Sequence, residues 1–335
     1  MKIEELGEFG LIERLTRHCR QNRNIAVGVG DDAAVINFPA ERQLVACCDM
    51  LVEGVHFLKS TSSPYHIGHK ALAVNLSDIA AMAAVPRYFL VSIAIPKSWS
   101  VEELDELYQG MNDLATAWGI DLIGGDTTSS PDGLVIDLTC LGEVERDKAV
   151  LRSGAKVGDL LVVTNDLGAS AAGLAVLSHP EMMLAPDLRA EVVQRHLMPD
   201  PQIPAARMLS ARGWITALND ISDGIASESL EIARASRLGV RLYAAQMPIS
   251  PATRTVAELL DLDPLEWVLN GGEDFQLVMT MPPQVFKEAR AMLASAADII
   301  LTEVGEMVAE DEGYVVVDSK GRSRPLTPSG YNHFR

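Results

Sequence analysis

Through the first half of the chain, short apolar runs that read as strands alternate with segments of helical period. "NIAVGVGDDAAVINF" and "RQLVACCDMLVEGVHF" read as two strands running into acidic turns. Residues 64–84, "PYHIGHKALAVNLSDIAAMAA", read as a helix, and Pro64 suits its first turn. "RYFLVSIAIP" is a strand stopped by Pro96. "SVEELDELYQGMNDLATAWG" is an amphipathic helix with Ser100 as N-cap and Gly119 just past its end. "DLIGGDTT" and "LVIDLTCLGEV" follow as strands. The resulting β-β-α-β-α-β-β order predicts an α/β layer of roughly 145 residues.

"LRSGAKVGDLLVVTND" then begins afresh with a turn and an apolar strand. A chain of 335 residues exceeds what one hydrophobic core usually covers, so two domains are expected, 1–150 and 151–335. In the second, helices are predicted near 169–178, 187–195, 202–211 and 224–237, and strands near 215–219, 239–243, 274–280 and 313–318. The sequence has no run of 18 apolar residues, and its acidic start, "MKIEELGEFG", is unlike a signal peptide. Cys19, Cys47, Cys48 and Cys140 show neither CxxC spacing nor a disulfide framework, which points to reduced thiols in the cytoplasm. The net charge of −18 disfavours nucleic acid and anionic membrane as primary partners.

Six stretches place acids at turns beside apolar runs: Asp31 and Asp32 in "GVGDDAA", Asp49 in "CCDML", Asp78 in "NLSDIA", Asp126 in "IGGDTT", Asp220 and Asp223 in "NDISDG", and Glu273 and Asp274 in "NGGEDFQLV". One such aspartate is ordinarily a turn or cap residue. Strand ends of α/β domains converge, so six stretches would gather in one cleft. The natural counter-charge of gathered carboxylates is a hard divalent cation, Mg²⁺, Mn²⁺ or Ca²⁺. His66 and His69 have no third nitrogen or sulfur ligand near them in sequence and read as a helix-surface pair. Cys47 and Cys48 should face opposite ways on a strand. Mg²⁺ held by aspartates usually also touches phosphate, and the glycines of "GVGDDA" and "IGGDT" let backbone N–H groups approach an anion. Arg152 is a candidate charge for a phosphate tail. The chemistry expected is Mg²⁺-dependent handling of a nucleotide or other polyphosphate.

"GEFGLIERL", "GVGDDAAV", "DMLVEGVHF", "KALAVNLSDIAAM", "LIGGDTT", "RSGAKVGD", "DISDGIASE", "GGEDFQL" and "GYNHF" together resemble the thiamine-monophosphate kinase family of the aminoimidazole ribonucleotide synthase superfamily. "EGVHF" joined to "GYNHF" narrows the resemblance to that family. It implies an α/β (α+β) fold of two domains. The first binds ATP and Mg²⁺ and pairs its sheet in a homodimer, and the second completes the active-site cleft. It also implies phosphoryl transfer from ATP to thiamine phosphate with several Mg²⁺ ions. Carried over by motif, Asp31, Asp32, Cys48, Asp49, Asp78, Asp126, Asp220 and Asp223 take the metal-ligand positions. Gly125, Asp126, Arg152, Ser222 and Tyr108 take the ATP positions, and His56, Glu273 and Tyr331 those of thiamine phosphate.

The chain departs from the family where Cys47 and Cys48 replace hydroxyl residues, since a thiol is a poor Mg²⁺ ligand. Ala83 stands where glycine is common, which is tolerable if its backbone angle stays negative. The alternatives are another ATP-using enzyme of the superfamily, or a metal- and nucleotide-binding regulator without turnover. Selenophosphate synthase would need a reactive cysteine in an N-terminal glycine-rich loop, whereas Cys19 sits in a helical "RHCRQ".

Overall fold

The structure, a computed structural model, describes residues 14–17, 24–27 and 35–327. Asp31, Asp32 and Tyr331 therefore lie outside the described residues. The described residues of Met1–Ile79 and Ala84–Asp147 form one compact unit, and those of Ala80–Ala83 and Lys148–Arg335 form a second. No described helix is long and apolar enough to cross a membrane.

In the first unit, β1 (Ile25–Val27) pairs with β2 (Val35–Ile36). They are followed by β3 (Arg42–Val52), α1 (Pro64–Ala81), β4 (Val85–Ile95), α2 (Val101–Trp118), β5 (Asp121–Ser129) and β6 (Val135–Glu145). The last four strands make one sheet in the order β3-β6-β4-β5, antiparallel except for the parallel pair β4–β5. Alternation along β6 buries Ile136, Leu138 and Cys140 on one face, with Phe89, Val91 and Ile93 beside them. The opposite face leaves Leu44, Cys48 and Met50 of β3 exposed.

The two helices are placed by complementary signals. Ser100 and Glu103 form a reciprocal capping box at the start of α2, and Gly119 ends it in the left-handed region with φ 67°. At Gly68 of α1, an added Cβ would lie 1.8 Å from the Leu107 carbonyl oxygen; at Gly110 of α2 it would lie 2.0 Å from that of Tyr65. The helices thus touch backbone to backbone. From Lys70 to Ala81 every residue of α1 is buried except Asp78, which is half-buried. Ala83 has φ 52°, not the negative angle expected, at a strain of about 1 kcal/mol. Its N–H donates to the Ala80 carbonyl (2.8 Å), and its own carbonyl accepts from Arg207 Nη1 (2.6 Å).

The second unit contains β7 (Leu160–Thr164), α3 (Ala169–Ser178), α4 (Pro186–Leu197), α5 (Ile203–Ser210), β8 (Ala217–Ile221), α6 (Ile225–Ser236) and β9 (Gly239–Tyr243). Then come α7 (Pro251–Leu259), α8 (Pro264–Asn270), β10 (Gln276–Met281), α9 (Pro283–Ala296), β11 (Leu301–Val308), β12 (Tyr314–Val317) and β13 (Ser323–Pro325). Its sheet runs β13-β12-β9-β11-β7-β10-β8. The core includes Leu161, Val163, Ile221, Ile232, Leu242, Val278 and Met307. Strand β8 begins two residues later than the pattern suggests, and β10 waits until Gln276 because Glu273 and Phe275 both have positive φ, 67° and 48°.

Candidate active site

In the first unit, Cys47 and Asp49 share the inner face of β3, opposite α1. The Cys47 thiol donates to the Asn75 carbonyl (3.4 Å), and Asn75 Nδ2 donates to the Ala71 carbonyl (3.1 Å). Contact with the Cys140 thiol, then burial, then the charges of Asp78 and Asp49 hold the Cys47 thiol protonated far above its usual range. Both carboxylates therefore bear on the same spot. Burial, then Asp137, pushes the Asp49 carboxyl up as well. Cys48 is exposed on the other face of β3, in phase with Met50 and so on the face that carries Asp126.

Gly125 pairs with Val91 in β5, and a Cβ there would lie 1.9 Å from the Val91 carbonyl oxygen. Asp126 is exposed and lies in one cross-strand row with Ser92, Asp137 and Met50, out of phase with Asp49. Gly54, with φ 85°, turns the chain so that its N–H donates to the Phe57 carbonyl. His56 Nδ1 accepts the Val52 N–H (3.0 Å), which leaves the ring proton on Nε2. Glu53 Oε2 accepts from Trp99 Nε1 (3.1 Å) and from the Leu134 N–H (2.9 Å), anchoring the same turn. Glu53 was missed because an acid beside glycine looks like any turn residue. Tyr108, expected at the nucleotide, is buried in α2.

In the second unit, β8 ends in "NDISDG". Asp220 is buried, and the Ser222 carbonyl accepts the Glu273 N–H at 2.7 Å, tying "DISD" to "GGED". Glu228, a residue absent from the expected site, is buried near them. Its Oε1 accepts the Asp223 N–H (2.9 Å), while Oε2 is one of two buried side-chain oxygens without a partner among the described residues. Burial raises the Glu228 carboxyl to about 9, and Asp223 and Asp220 add to the rise against the opposing backbone N–H bonds. Arg152 donates from Nε to Asn219 Oδ1 (3.0 Å) and pairs through Nη1 with Glu231 (3.0 Å), its head half exposed.

Asp274 turns inward where Glu273 does not. Its carboxylate accepts the N–H groups of Gly168 (2.6 Å) and Ser170 (3.1 Å), capping α3. Burial first, against those two N–H bonds, raises its carboxyl to about 7. An acid whose folded value lies above its ordinary 3.8 contributes stability that is complete below about pH 4 and lost as pH rises through about 7. Denaturant midpoints of the wild type are therefore expected to fall between pH 5 and pH 8. Asp274→Asn should be less stable at pH 5 yet show a flatter fall; an unchanged slope would remove Asp274 as its source.

The donor set suits a hard cation. Asp49 and Asp78 in the first unit, and Asp220, Asp223 and Glu228 in the second, offer only oxygen, the donor a hard cation takes. Among the described residues no three of His, Cys, Asp and Glu stand together as a ready cage. Mg²⁺ usually takes one or two carboxylates and completes its shell with water and substrate phosphate, so the acids of each unit suit it by donor type and number.

Residues 30–144 match the family described as AIR synthase related protein, N-terminal domain, and residues 156–318 match the C-terminal domain of the same family. The thiamine-monophosphate kinase of Bacillus subtilis (strain 168) is 39% identical over 333 residues, covering 98% of this chain and 100% of the relative. The crystal structure of thiamine-monophosphate kinase from Stenotrophomonas maltophilia K279a superposes with a TM-score of 0.82 at 32% identity, covering 95% of this chain and 98% of the other. A structure described as AaThiL complexed with AMPPCP and TMP superposes with a TM-score of 0.78 at 30% identity, covering 100% of this chain and 99% of the other.

Proposed function

From the premise that the chain belongs to the thiamine-monophosphate kinases of the AIR synthase related family, we propose that it transfers the γ-phosphoryl group of ATP to thiamine phosphate. The products are thiamine diphosphate and ADP. The observation that carries this reading is the bond between Glu273 N–H and the Ser222 carbonyl. It sets a carboxylate suited to a cationic thiazolium beside the "DISD" carboxylates suited to a phosphate-bound cation.

The acceptor is a phosphate monoester, already largely deprotonated near neutral pH, so no side chain has to act as a general base. The task left to the protein is to hold two anionic groups in line. Asp49, Asp78, Asp126, Asp220 and Asp223, with Asp31 and Asp32, would hold Mg²⁺, which supplies charge neutralisation between the phosphates when bound. Gly125 gives backbone access to the nucleotide because its position has no room for a side chain. Arg152 and Ser222 meet the phosphate tail; Arg152 exchanges its Glu231 partner to do so. His56 presents Nε2–H to the acceptor phosphate, held in that tautomer by the Val52 N–H. Glu273 and Tyr331 take the thiazolium and ring.

Incubation with ATP, Mg²⁺ and thiamine phosphate should yield thiamine diphosphate and ADP, and EDTA should abolish both. ADP release that does not depend on thiamine phosphate would favour another enzyme of the superfamily, and nucleotide binding without turnover would favour a regulator.

The same reading places the protein in the cytoplasm as a homodimer. The exposed face of the first unit's sheet supports the dimer, because Leu44 and Met50 are 55% and 52% exposed on it. Light scattering should report a dimer, and Met50→Glu should shift it toward monomer; a monomeric wild type would overturn the assignment.

A further inference from the structure

"RHLMPDP" carries a histidine that the reaction leaves unused. His196 lies in the last turn of α4 and is buried. Its position follows from a close helix contact. At Gly173 of α3, an added Cβ would lie 2.1 Å from the Val192 carbonyl oxygen and 2.8 Å from His196 Cβ, so only glycine admits α4 this near. One turn earlier on α3 stands Ser170, also buried, with its Oγ 3.0 Å from His196 Nδ1. The same nitrogen lies 3.5 Å from Glu273 Oε2. A carboxylate only accepts, so that contact is attractive when Nδ1 carries the hydrogen. Ser170 Oγ then shares that hydrogen as a second acceptor.

Glu273 needs such support. It is not glycine, yet its φ is 67°, a conformation that persists only where the surroundings impose it. Its N–H is tied to Ser222 and the next residue is buried as the α3 cap. Main-chain bonds fix the backbone but leave three side-chain torsions to set the carboxylate. The Glu273 side chain remains 27% exposed, while that of His196 is 7% exposed. The acid therefore faces outward with a buried imidazole behind it.

We propose that His196 is a positioning residue. Braced by Ser170, it aims the Glu273 carboxylate at the cationic ring of the acceptor. The proposal rests on the reading of Glu273 as an acceptor contact. Its effect falls on the acceptor's KM, since a wandering carboxylate meets the ring less often but leaves the nucleotide untouched.

Steady-state kinetics of the full-length protein test it with Glu273→Gln, His196→Leu, His196→Asn, Ser170→Ala and the double variant His196→Leu/Glu273→Gln, each checked by thermal unfolding. His196→Leu should raise KM for thiamine phosphate about tenfold, the scale found for groups that orient a ligating side chain, with KM for ATP within about twofold of wild type. His196→Asn, whose amide nitrogen can replace Nδ1–H, should recover most of that loss. The double variant should bind the acceptor no worse than Glu273→Gln alone, because the histidine acts through the acid. Should His196→Leu fail to fold, Ser170→Ala carries the test through a smaller rise in the same constant. An unchanged acceptor KM in His196→Leu, or in Ser170→Ala where His196→Leu does not fold, overturns the proposal. So do multiplying effects in the double variant, even where Glu273→Gln impairs acceptor binding. An unaffected Glu273→Gln overturns the reading of Glu273 itself, and the positioning role with it.

Discussion

Asp220→Asn should lower kcat for thiamine diphosphate formation at least about a hundredfold, equivalent to about 2.7 kcal/mol of barrier. The substitution keeps the size of the side chain and one acceptor oxygen, and replaces the charge and the second oxygen with an amide NH2. Asp220 is buried at the end of β8, paired across to Leu277, with the charges of Asp220 and Asp223 both felt at Glu228. Neutralising one buried acid relieves repulsion, so the fold should be retained or slightly stabilised. What is lost is a hard anionic ligand, and half-saturation by Mg²⁺ should move to higher concentration along with the fall in kcat. Titrating Mg²⁺ against activity for both proteins decides the matter. A variant with undiminished activity at the same Mg²⁺ concentration would show that the "DISD" acids serve the fold and not the ion.

Gly110→Ala should unfold the first unit early, at a loss of about 3 kcal/mol or more. The new methyl would sit 2.0 Å from the Tyr65 carbonyl oxygen, 2.9 Å from its carbon and 3.0 Å from His69 N. These are backbone atoms, which no rotamer change can move aside. Helices α1 and α2 would have to separate, drawing α1 away from the sheet and Asp78 with it. Gly119→Ala is the contrast, for nothing lies within 4 Å of its added Cβ, and only the left-handed φ of 67° is strained; about 1 kcal/mol is expected there. Calorimetry should show a large drop in the first unit's transition for Gly110→Ala and a small one for Gly119→Ala. Equal shifts would mean that the helix contact is softer than its distances imply.

The strands and helices that follow simple periods were readable in advance. Ser100, Pro64 and Gly119 marked ends of α1 and α2, whereas Asp49 and Asp126, read as turn residues at strand ends, lie inside β3 and β5, and Asp78 lies inside α1. Helices α7 and α8 went unread although Ser250 and Asp263 cap them, each followed by a proline. Strand β11 is interrupted by a register shift between Glu303 and Gly305, which breaks the alternation that would have revealed it. Left-handed angles at Ala83, Glu273 and Phe275 have no signature in the residue type. The acids proposed for the site were legible as six similar stretches of sequence. Glu53, His196 and Glu228 were not, since their roles come from what they touch far along the chain.

The order of the first unit's sheet has a consequence for how it comes into being. Strand β6 is the last of the four to be synthesised, yet it lies in the interior between β3 and β4. Its pairing joins Arg42 to Glu145 and Val52 to Val135. Until residue 145 has left the ribosome, β3 has no neighbour on that side, and its "LVACCDMLV" is an apolar edge open to other chains. Closure requires a late strand to insert between two earlier ones, a slow, non-local step. Conditions that crowd unfinished chains together during that interval, such as rapid overexpression, should trap the chain as aggregate before the sheet closes.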